Sequence, residues 1–176
     1  MAEVARHRCR EQFGDFVHRP EFFSGRSPFF CWENRAAIEV EIGTDLGNVR
    51  VINTHLGLGW RERLLQAQLF TSAEWRAANA DDTPVILLGD FNSLRGSRPY
   101  RTLDRHLHDL RKLIPATRSI PTFPTRFPVL AVDHIFVNRA VQPLSVTVHR
   151  SPLARIASDH FPLMAEFVLS PHRRLD

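Results

Sequence analysis

The sequence predicts an α/β (α+β) domain in which strands and helices alternate along the chain. Its 176 residues are 43% hydrophobic and 24% charged, the profile of one globular domain with a core. Apolar residues recur with the period of two typical of strands in some segments and with helical spacing in others. Neither an internal repeat nor a linker divides the sequence. We therefore expect a single domain over residues 1–176.

Two strand-like segments come first and predict an antiparallel hairpin. In Ala37–Ile42 the apolar Ile38, Val40 and Ile42 alternate with glutamates, which indicates one buried face. The loop "GTDLGN" then turns the chain into Val49–Thr54, which we expect to pair with the first strand.

A helix and a buried strand follow the hairpin. Leu65, Leu69 and Ala73 stand four residues apart within "RERLLQAQLFTSAEWRAANA", which predicts the apolar stripe of an amphipathic helix. The segment "TPVILLGD" has aliphatic residues at successive positions, so we expect a strand that is buried on both faces.

The second half begins with a shorter helix and a proline-rich stretch. Across "SRPYRTLDRHLHDL" a proline stands near the start, and Tyr100, Leu103 and Leu107 have helical spacing. Four prolines in "IPATRSIPTFPTRFPVLAV" exclude regular structure and predict a long ordered loop. Strands resume in "VDHIFVN", "PLSVTVHR" and "FPLMAEFVL".

Charge and cysteine usage give weaker information. The formal charge is +4 and the isoelectric point is near 10.0, but the arginines are scattered, so the case for a nucleic-acid-binding module without chemistry is weak. Cys9 and Cys31 make neither a disulfide framework nor a zinc motif. With no secretory or membrane-spanning segment in the sequence, we expect a cytoplasmic protein.

Polar side chains stand at four strand boundaries. If those strands share one edge of a sheet, the groups converge, and their carboxylates repel each other unless a cation neutralises them. Oxygen ligands of this kind suit Mg²⁺ or Mn²⁺. A carboxylate beside an imidazole also fixes the tautomer of the ring, as Asp133 would for His160. The six residues are His55, Asp90, Asn92, Asp133, Asp159 and His160.

Four motifs in the order "NTHL", "GDFN", "VDHIF" and "SDHFPL" resemble the endonuclease/exonuclease/phosphatase superfamily, the metal-dependent phosphodiesterases related to pancreatic-type deoxyribonuclease. The likeness covers roughly residues 35–170. It implies a two-sheet β-sandwich flanked by helices. It also implies a divalent-metal-dependent hydrolase of phosphodiester or phosphomonoester bonds in nucleic acid, a lipid headgroup or a small metabolite. Specificity would lie in the loops Gly57–Trp60 and Pro121–Pro128.

The resemblance also implies a role for each site residue. Asp90 and Asn92 of the GDxN motif would align the attacking water and hold the metal. Asp159 would supply a further metal-site carboxylate. His160 would contact the phosphate, and Asp133 would orient it. His55 would contact the scissile phosphate or protonate the leaving oxygen.

Structural roles compete with several of these assignments. Asp90 and Asn92 are also common turn residues, and a histidine at a strand end such as His55 can simply satisfy a neighbouring backbone group. His134 adjoins Asp133, but successive side chains of a strand point to opposite faces, so we leave His134 out of the site.

Two aromatic residues of the proline-rich stretch are open to two interpretations. Phe123 and Phe127 could stack on a base or a lipid at the mouth of the site. Aromatic residues in such a loop more often pin the loop to the core, and we favour that interpretation for both.

The likeness does not extend to the first strands of the family fold. Members begin with a strand carrying an Asn and a second strand ending in Gln-Glu, whose Glu is a principal metal ligand. This sequence has no Gln-Glu dipeptide, and its first 23 residues resemble the helix that follows that motif. We therefore expect a domain that is incomplete at the N-terminus, through an incomplete gene or a misplaced start. The remaining candidate ligands are Glu3, Glu11, Glu21 and Glu33.

Loss of those strands has two expected consequences. A hard-cation site without its main carboxylate binds metal more weakly, so activity would be weakened. An incomplete sheet leaves an edge and apolar surface uncovered, which favours self-association. The alternative function is a non-catalytic truncated remnant or binding module of the same family.

Overall fold

The computed structural model describes residues 19–22, 35–78, 83–114 and 120–169. Its strands are β1 (Arg19–Phe22), β2 (Ala36–Thr44), β3 (Gly47–His55), β4 (Val85–Asp90), β5 (His108–Asp109), β6 (Asp133–Val137), β7 (Val141–Val148) and β8 (Leu163–Leu169). Its helices are α1 (Trp60–Leu69), α2 (Ala73–Ala78), α3 (Arg98–Asp104), α4 (Leu110–Leu113) and α5 (Pro152–Ala157).

Six strands form one mixed sheet in the order β1-β2-β3-β4-β6-β5, and β7 pairs with β8 in a second sheet. Strands β3 and β4 run parallel, and the other neighbours in the larger sheet run antiparallel. This arrangement of two sheets with flanking helices confirms the predicted fold class. No helix in these ranges has the length and apolar character needed to cross a membrane. Cys9, Cys31, Glu3, Glu11 and Glu33 lie outside the described residues.

The predicted hairpin is confirmed by β2 and β3, which pair with Ala37 opposite Thr54 and Ile42 opposite Val49. The prediction of its buried face is wrong in part, because Ile38 and Ile42 are 48% and 45% exposed. On that side of the sheet the apolar cluster around β7 and β8 includes Val51 but does not extend to either isoleucine. The alternating pattern identifies which face of β2 is apolar. It does not show how far the second sheet extends over that face.

The predicted single helix is two helices, and its predicted stripe is wrong. Leu65 and Leu69 are 62% and 52% exposed, whereas α1 buries Gln66 and Ala67, and Phe70 is buried just beyond it. The Gln66 side-chain oxygen accepts a hydrogen bond from the Gly57 N–H at 2.9 Å. This hydrogen bond to the loop after β3 lies on the buried face of α1. That face is shifted by about one residue along the helix from the predicted stripe.

Strand β4 is buried on both faces, as predicted. Val85 and Leu87 belong to one apolar cluster and Ile86 to the cluster on the opposite side of the sheet. Parallel β3 lies on one side of β4 and antiparallel β6 on the other. The strand therefore brings its last residue, Asp90, to the middle of the sheet edge.

The shorter helix is confirmed as α3, although it ends at Asp104, earlier than predicted. The Ser97 hydroxyl caps it by accepting from the Tyr100 N–H. Tyr100, Leu103 and Leu107 are all buried. The chain then forms the two-residue strand β5, whose Asp109 pairs with β6.

Candidate active site

Three neighbouring strands bring three of the predicted site residues to one row across the sheet. His55 ends β3 opposite Asp90 at the end of β4, and Asp90 is opposite Asp133 at the start of β6. Because β3 and β4 are parallel while β6 is antiparallel, their site residues all lie at the same sheet edge. The convergence expected from the sequence is present for these three residues.

His160 completes this group from the segment before β8. Its Nδ1 lies 2.9 Å from Asp133 Oδ2, and its Nε2 lies 3.8 Å from Asp90 Oδ2. The same Asp90 oxygen lies 3.3 Å from His55 Nε2. Asp90 thus lies between the imidazoles of His55 and His160. The His160 ring also pairs with the Asp133 carboxylate through its other nitrogen.

The surroundings of His160 favour its charged form. Burial alone lowers its pKa, but the hydrogen bond and charge of Asp133, with the charges of Asp90 and Asp159, raise that pKa above its ordinary value. The ring therefore keeps its proton to a higher pH than a free histidine.

The loop after β4 is compatible with both the turn interpretation and the site interpretation. Asn92 has a φ of 46°, in the left-handed region that asparagine tolerates better than most residues. Its backbone N–H donates to Asp90 Oδ1 at 2.8 Å, and its side-chain Nδ2 donates to the Leu56 carbonyl at 2.9 Å. One Asp90 oxygen is thus engaged by the turn, while the other faces the two histidines.

The proline-rich stretch holds the segment that carries His160. Its residues 120–132 contain no helix and one isolated bridge, between Phe123 and Leu130, and form the predicted ordered loop. The Thr125 N–H donates to the Asp159 carbonyl and the Phe161 N–H donates to the Thr122 carbonyl, both at 2.8 Å. These two hydrogen bonds flank His160 on either side.

Phe123 packs against His160, a contact that neither interpretation of the sequence specified. Its ring centroid lies 4.5 Å from that of His160, with 33° between the ring planes. The favoured interpretation for Phe127 is wrong, because its side chain is 75% exposed in a turn closed by its N–H and the Pro124 carbonyl. No local signal pairs Phe123 with His160, since 37 positions separate them in the sequence.

Arg63 of α1 adds a cation to the surroundings of Asp90. Burial lowers its guanidinium pKa, although Asp90 and Glu62 act to raise it. Arg63 Nη1 donates to the Leu58 carbonyl at 2.7 Å. Arg63 therefore ties α1 to the loop that follows His55.

The predicted metal-ligand set stays a prediction. No group of three or more His, Cys, Asp or Glu side chains in these ranges is arranged to hold a metal ion. The predicted donors are Asp90, Asn92 and Asp159, and Asp159 is exposed. Carboxylate and amide oxygens are donors of the kind that Mg²⁺ prefers.

Comparisons with known proteins agree with the motifs. The model of the endonuclease/exonuclease/phosphatase family matches residues 12–160. Uncharacterized protein YbhP of Escherichia coli is 36% identical over 127 residues, an alignment covering 69% of this chain and 47% of YbhP. The chain thus spans about half the length of the curated relatives it matches.

Solved structures with the same fold include a phosphatase and a DNA-bound protein. The mannosyl-6-phosphatase Bt3783 of Bacteroides thetaiotaomicron superposes with a TM-score of 0.66 and 22% identity, covering 88% of this chain and 67% of that chain. The D. rerio protein TDP2, complexed with a single-strand DNA product, has a TM-score of 0.66 and 17% identity, covering 87% and 67%. The chain belongs to the endonuclease/exonuclease/phosphatase family, whose members are generally hydrolases of phosphoester bonds.

Proposed function

We propose that this chain carries the centre of a hydrolase acting on phosphodiester or phosphomonoester bonds. The observation that supports it is the position of Asp90 between two imidazoles, 3.3 Å from His55 Nε2 and 3.8 Å from His160 Nε2. Attack on a phosphoester needs a base for the water, donors to the phosphoryl oxygens and a proton for the leaving oxygen. A carboxylate flanked by two histidines supplies groups of each kind.

Each side chain then has one role. Asp90 aligns the attacking water and accepts its proton, while Asn92 donates to the phosphate from the side-chain N–H that the Leu56 carbonyl does not occupy. His160 donates from Nε2 to a phosphoryl oxygen, because Asp133 occupies its Nδ1. His55 contacts the phosphate or protonates the leaving alkoxide.

We further propose that Mg²⁺ or Mn²⁺ is the cofactor, as divalent metals are typical of this family. Asp90, Asn92 and Asp159 are the candidate donors, although the described residues do not complete the ligand set. A bound ion would supply Lewis-acid stabilisation of charge on the phosphate. Removing metal with EDTA should abolish hydrolysis, and adding Mg²⁺ or Mn²⁺ should restore it. Undiminished hydrolysis in EDTA would refute this proposal.

The substrate is proposed only by class: a phosphoester in nucleic acid, a lipid headgroup or a small metabolite. The loop after His55 presents exposed side chains for recognition, with Leu58 72% and Trp60 52% exposed. The Arg61 guanidinium carbon lies 5.3 Å from the Trp60 ring centroid. We place substrate discrimination in this loop and in Pro121–Pro128.

Hydrolysis of a chromogenic phosphodiester and of the matching monoester tests the proposed function. The variant His160→Ala should lose at least about 100-fold in kcat/KM, the usual cost of removing a donor to an oxygen on which charge develops. His106→Ala is the matched control, since His106 is exposed in the turn after α3. Folded protein that hydrolyses neither substrate would instead support the alternative, a non-catalytic binding module.

Phe123→Leu should lower kcat/KM by roughly two- to tenfold, because a ring–ring contact contributes about 0.5–1.5 kcal/mol. The loss should appear mainly in kcat if the ring serves to orient His160. Phe167→Leu is the control, since Phe167 is a partly exposed residue of β8. Equal effects of the two substitutions would count against an orienting role for Phe123.

Self-association also stays a prediction. Ile38 and Ile42 leave apolar surface exposed on one face of β2. Sizing chromatography should give a concentration-dependent elution volume, and Ile38→Thr with Ile42→Thr should reduce that dependence. A monodisperse monomer at all concentrations would refute the prediction. The cytoplasmic location likewise stays a prediction.

A further inference from the structure

A buried charged network lies directly behind the candidate active site. His134 and Asp109 are 1% and 0% exposed, and His134 Nδ1 lies 3.3 Å from Asp109 Oδ2. The same carboxylate accepts from the Tyr100 hydroxyl at 2.8 Å and from the Arg111 N–H at 3.0 Å. Burying an ionised carboxylate is costly, so the hydrogen bonds to Asp109 determine whether this buried arrangement is stable.

The other ring nitrogen of His134 reaches the loop that carries the site. His134 Nε2 lies 2.8 Å from the carbonyl oxygen of Ser93, the residue after Asn92. A carbonyl oxygen can only accept, so Nε2 must carry a hydrogen. Ser93 is itself buried, and it follows the left-handed residue that contacts both Asp90 and the Leu56 carbonyl.

The groups around Asp109 stabilise its ionised form. Burial would raise the pKa of Asp109, but the hydrogen bond and charge of His134, with the Tyr100 and Arg111 hydrogen bonds, hold that pKa below its ordinary value. The carboxylate therefore joins α3, α4 and β6 through its hydrogen-bond partners.

The surroundings hold this ring in one orientation. Its centroid lies 5.9 Å from that of Phe91, 5.0 Å from that of Tyr100 and 5.7 Å from that of Phe136. Arg111 is fully buried in the same region, and this burial lowers its guanidinium pKa, although the charges of Asp109 and Asp133 act to raise it. The network thus adjoins the carboxylate that holds His160.

We propose that His134 and Asp109 are positioning residues, which fix the loop of Asp90 and Asn92 through the Ser93 carbonyl. Alternation along β6 directs Asp133 to the substrate side and His134 to the interior. One strand thereby supports two parts of the site, His160 on one face and the Asn92 loop on the other. The inference rests on the proposed function only in calling that loop catalytic.

The first test is the protonation state of His134, read from its ring nitrogens by ¹⁵N NMR of the full chain. Nε2 should carry a proton, because the Ser93 carbonyl 2.8 Å away can only accept. An unprotonated Nε2 would overturn the proposed link between His134 and the loop. This measurement needs no catalytic activity.

The second test replaces the pair. His134→Phe with Asp109→Asn keeps an aromatic ring at position 134 and removes the buried carboxylate charge, so the double variant should fold. Amide hydrogen exchange at Asn92 should become at least about tenfold faster relative to Leu87 in β4, because the Ser93 carbonyl loses its donor. Where the enzyme is active, kcat should fall about 10- to 100-fold with KM little changed.

Tyr100→Phe is the milder variant, since it removes one hydrogen bond to Asp109 and keeps the ring. It should shift Asn92 exchange in the same direction by a smaller factor. Unchanged Asn92 exchange in the folded double variant would overturn the positioning role. Faster exchange in a protein that hydrolyses no phosphoester would support positioning while the proposed function fails.

Discussion

Gly89→Ala is expected to destabilise the domain by about 3–5 kcal/mol, summing overpacking and backbone strain. A Cβ at this position would lie 1.8 Å from the Thr54 carbonyl oxygen, a backbone atom with no room to move aside. The residue also has a φ of 138°, which side chains rarely adopt. Urea unfolding followed by circular dichroism measures the loss.

Gly96→Ala separates the two causes. Gly96 has a φ of 82°, but a Cβ added there would meet nothing within 4 Å, so only conformational strain is introduced. We expect a cost of about 1 kcal/mol for that variant. If both substitutions cost the same, the clash with Thr54 would not be the reason for glycine at position 89.

The close approach at Gly89 also bears on function. Thr54 and Gly89 are register partners in the parallel pair, one residue before His55 and Asp90. Any separation of the strands there would also move the two side chains apart. The glycine therefore lets β3 and β4 present the imidazole and the carboxylate at one edge.

The local pattern of the sequence was sufficient for some elements. Period-two alternation predicted β2, the loop after it predicted the pairing with β3, and a continuous aliphatic run predicted β4. It failed for Ile38 and Ile42, whose exposure depends on how far the second sheet extends over them. It failed for Leu65 because a contact from Gln66 to Gly57 lies on the buried face of α1.

The same limit applies to the site. Strand ends and the four motifs predicted the contact between Asp133 and His160. The contacts of Phe123 with His160 and of Ser93 with His134 could not be found this way, because a long stretch of sequence separates the two residues of each pair. The sequence also placed His134 correctly outside the row of site residues, but its alternation could not reveal the buried partners.

Asp90→Asn is expected to lower kcat by about 10²–10⁴-fold, the range for loss of a group that takes part in proton transfer. The amide has nearly the same shape, and its oxygen can still accept from the Asn92 N–H, so the turn should remain. What disappears is the negative charge on the oxygen 3.3 Å from His55 and 3.8 Å from His160. Steady-state hydrolysis of the chromogenic phosphodiester measures the change.

The control for this variant is Asp104→Asn, which removes a carboxylate that pairs with Lys112 on α4. It should leave kcat within about twofold, since a partly exposed ion pair contributes little to stability and Asp104 lies outside the row of site residues. If Asp90→Asn retained kcat within about tenfold while folded, the carboxylate would not be the base. The two histidines alone would then have to account for the hydrolysis. If only Asp90→Asn lost activity, the charge itself, rather than the turn it closes, would be what the reaction needs.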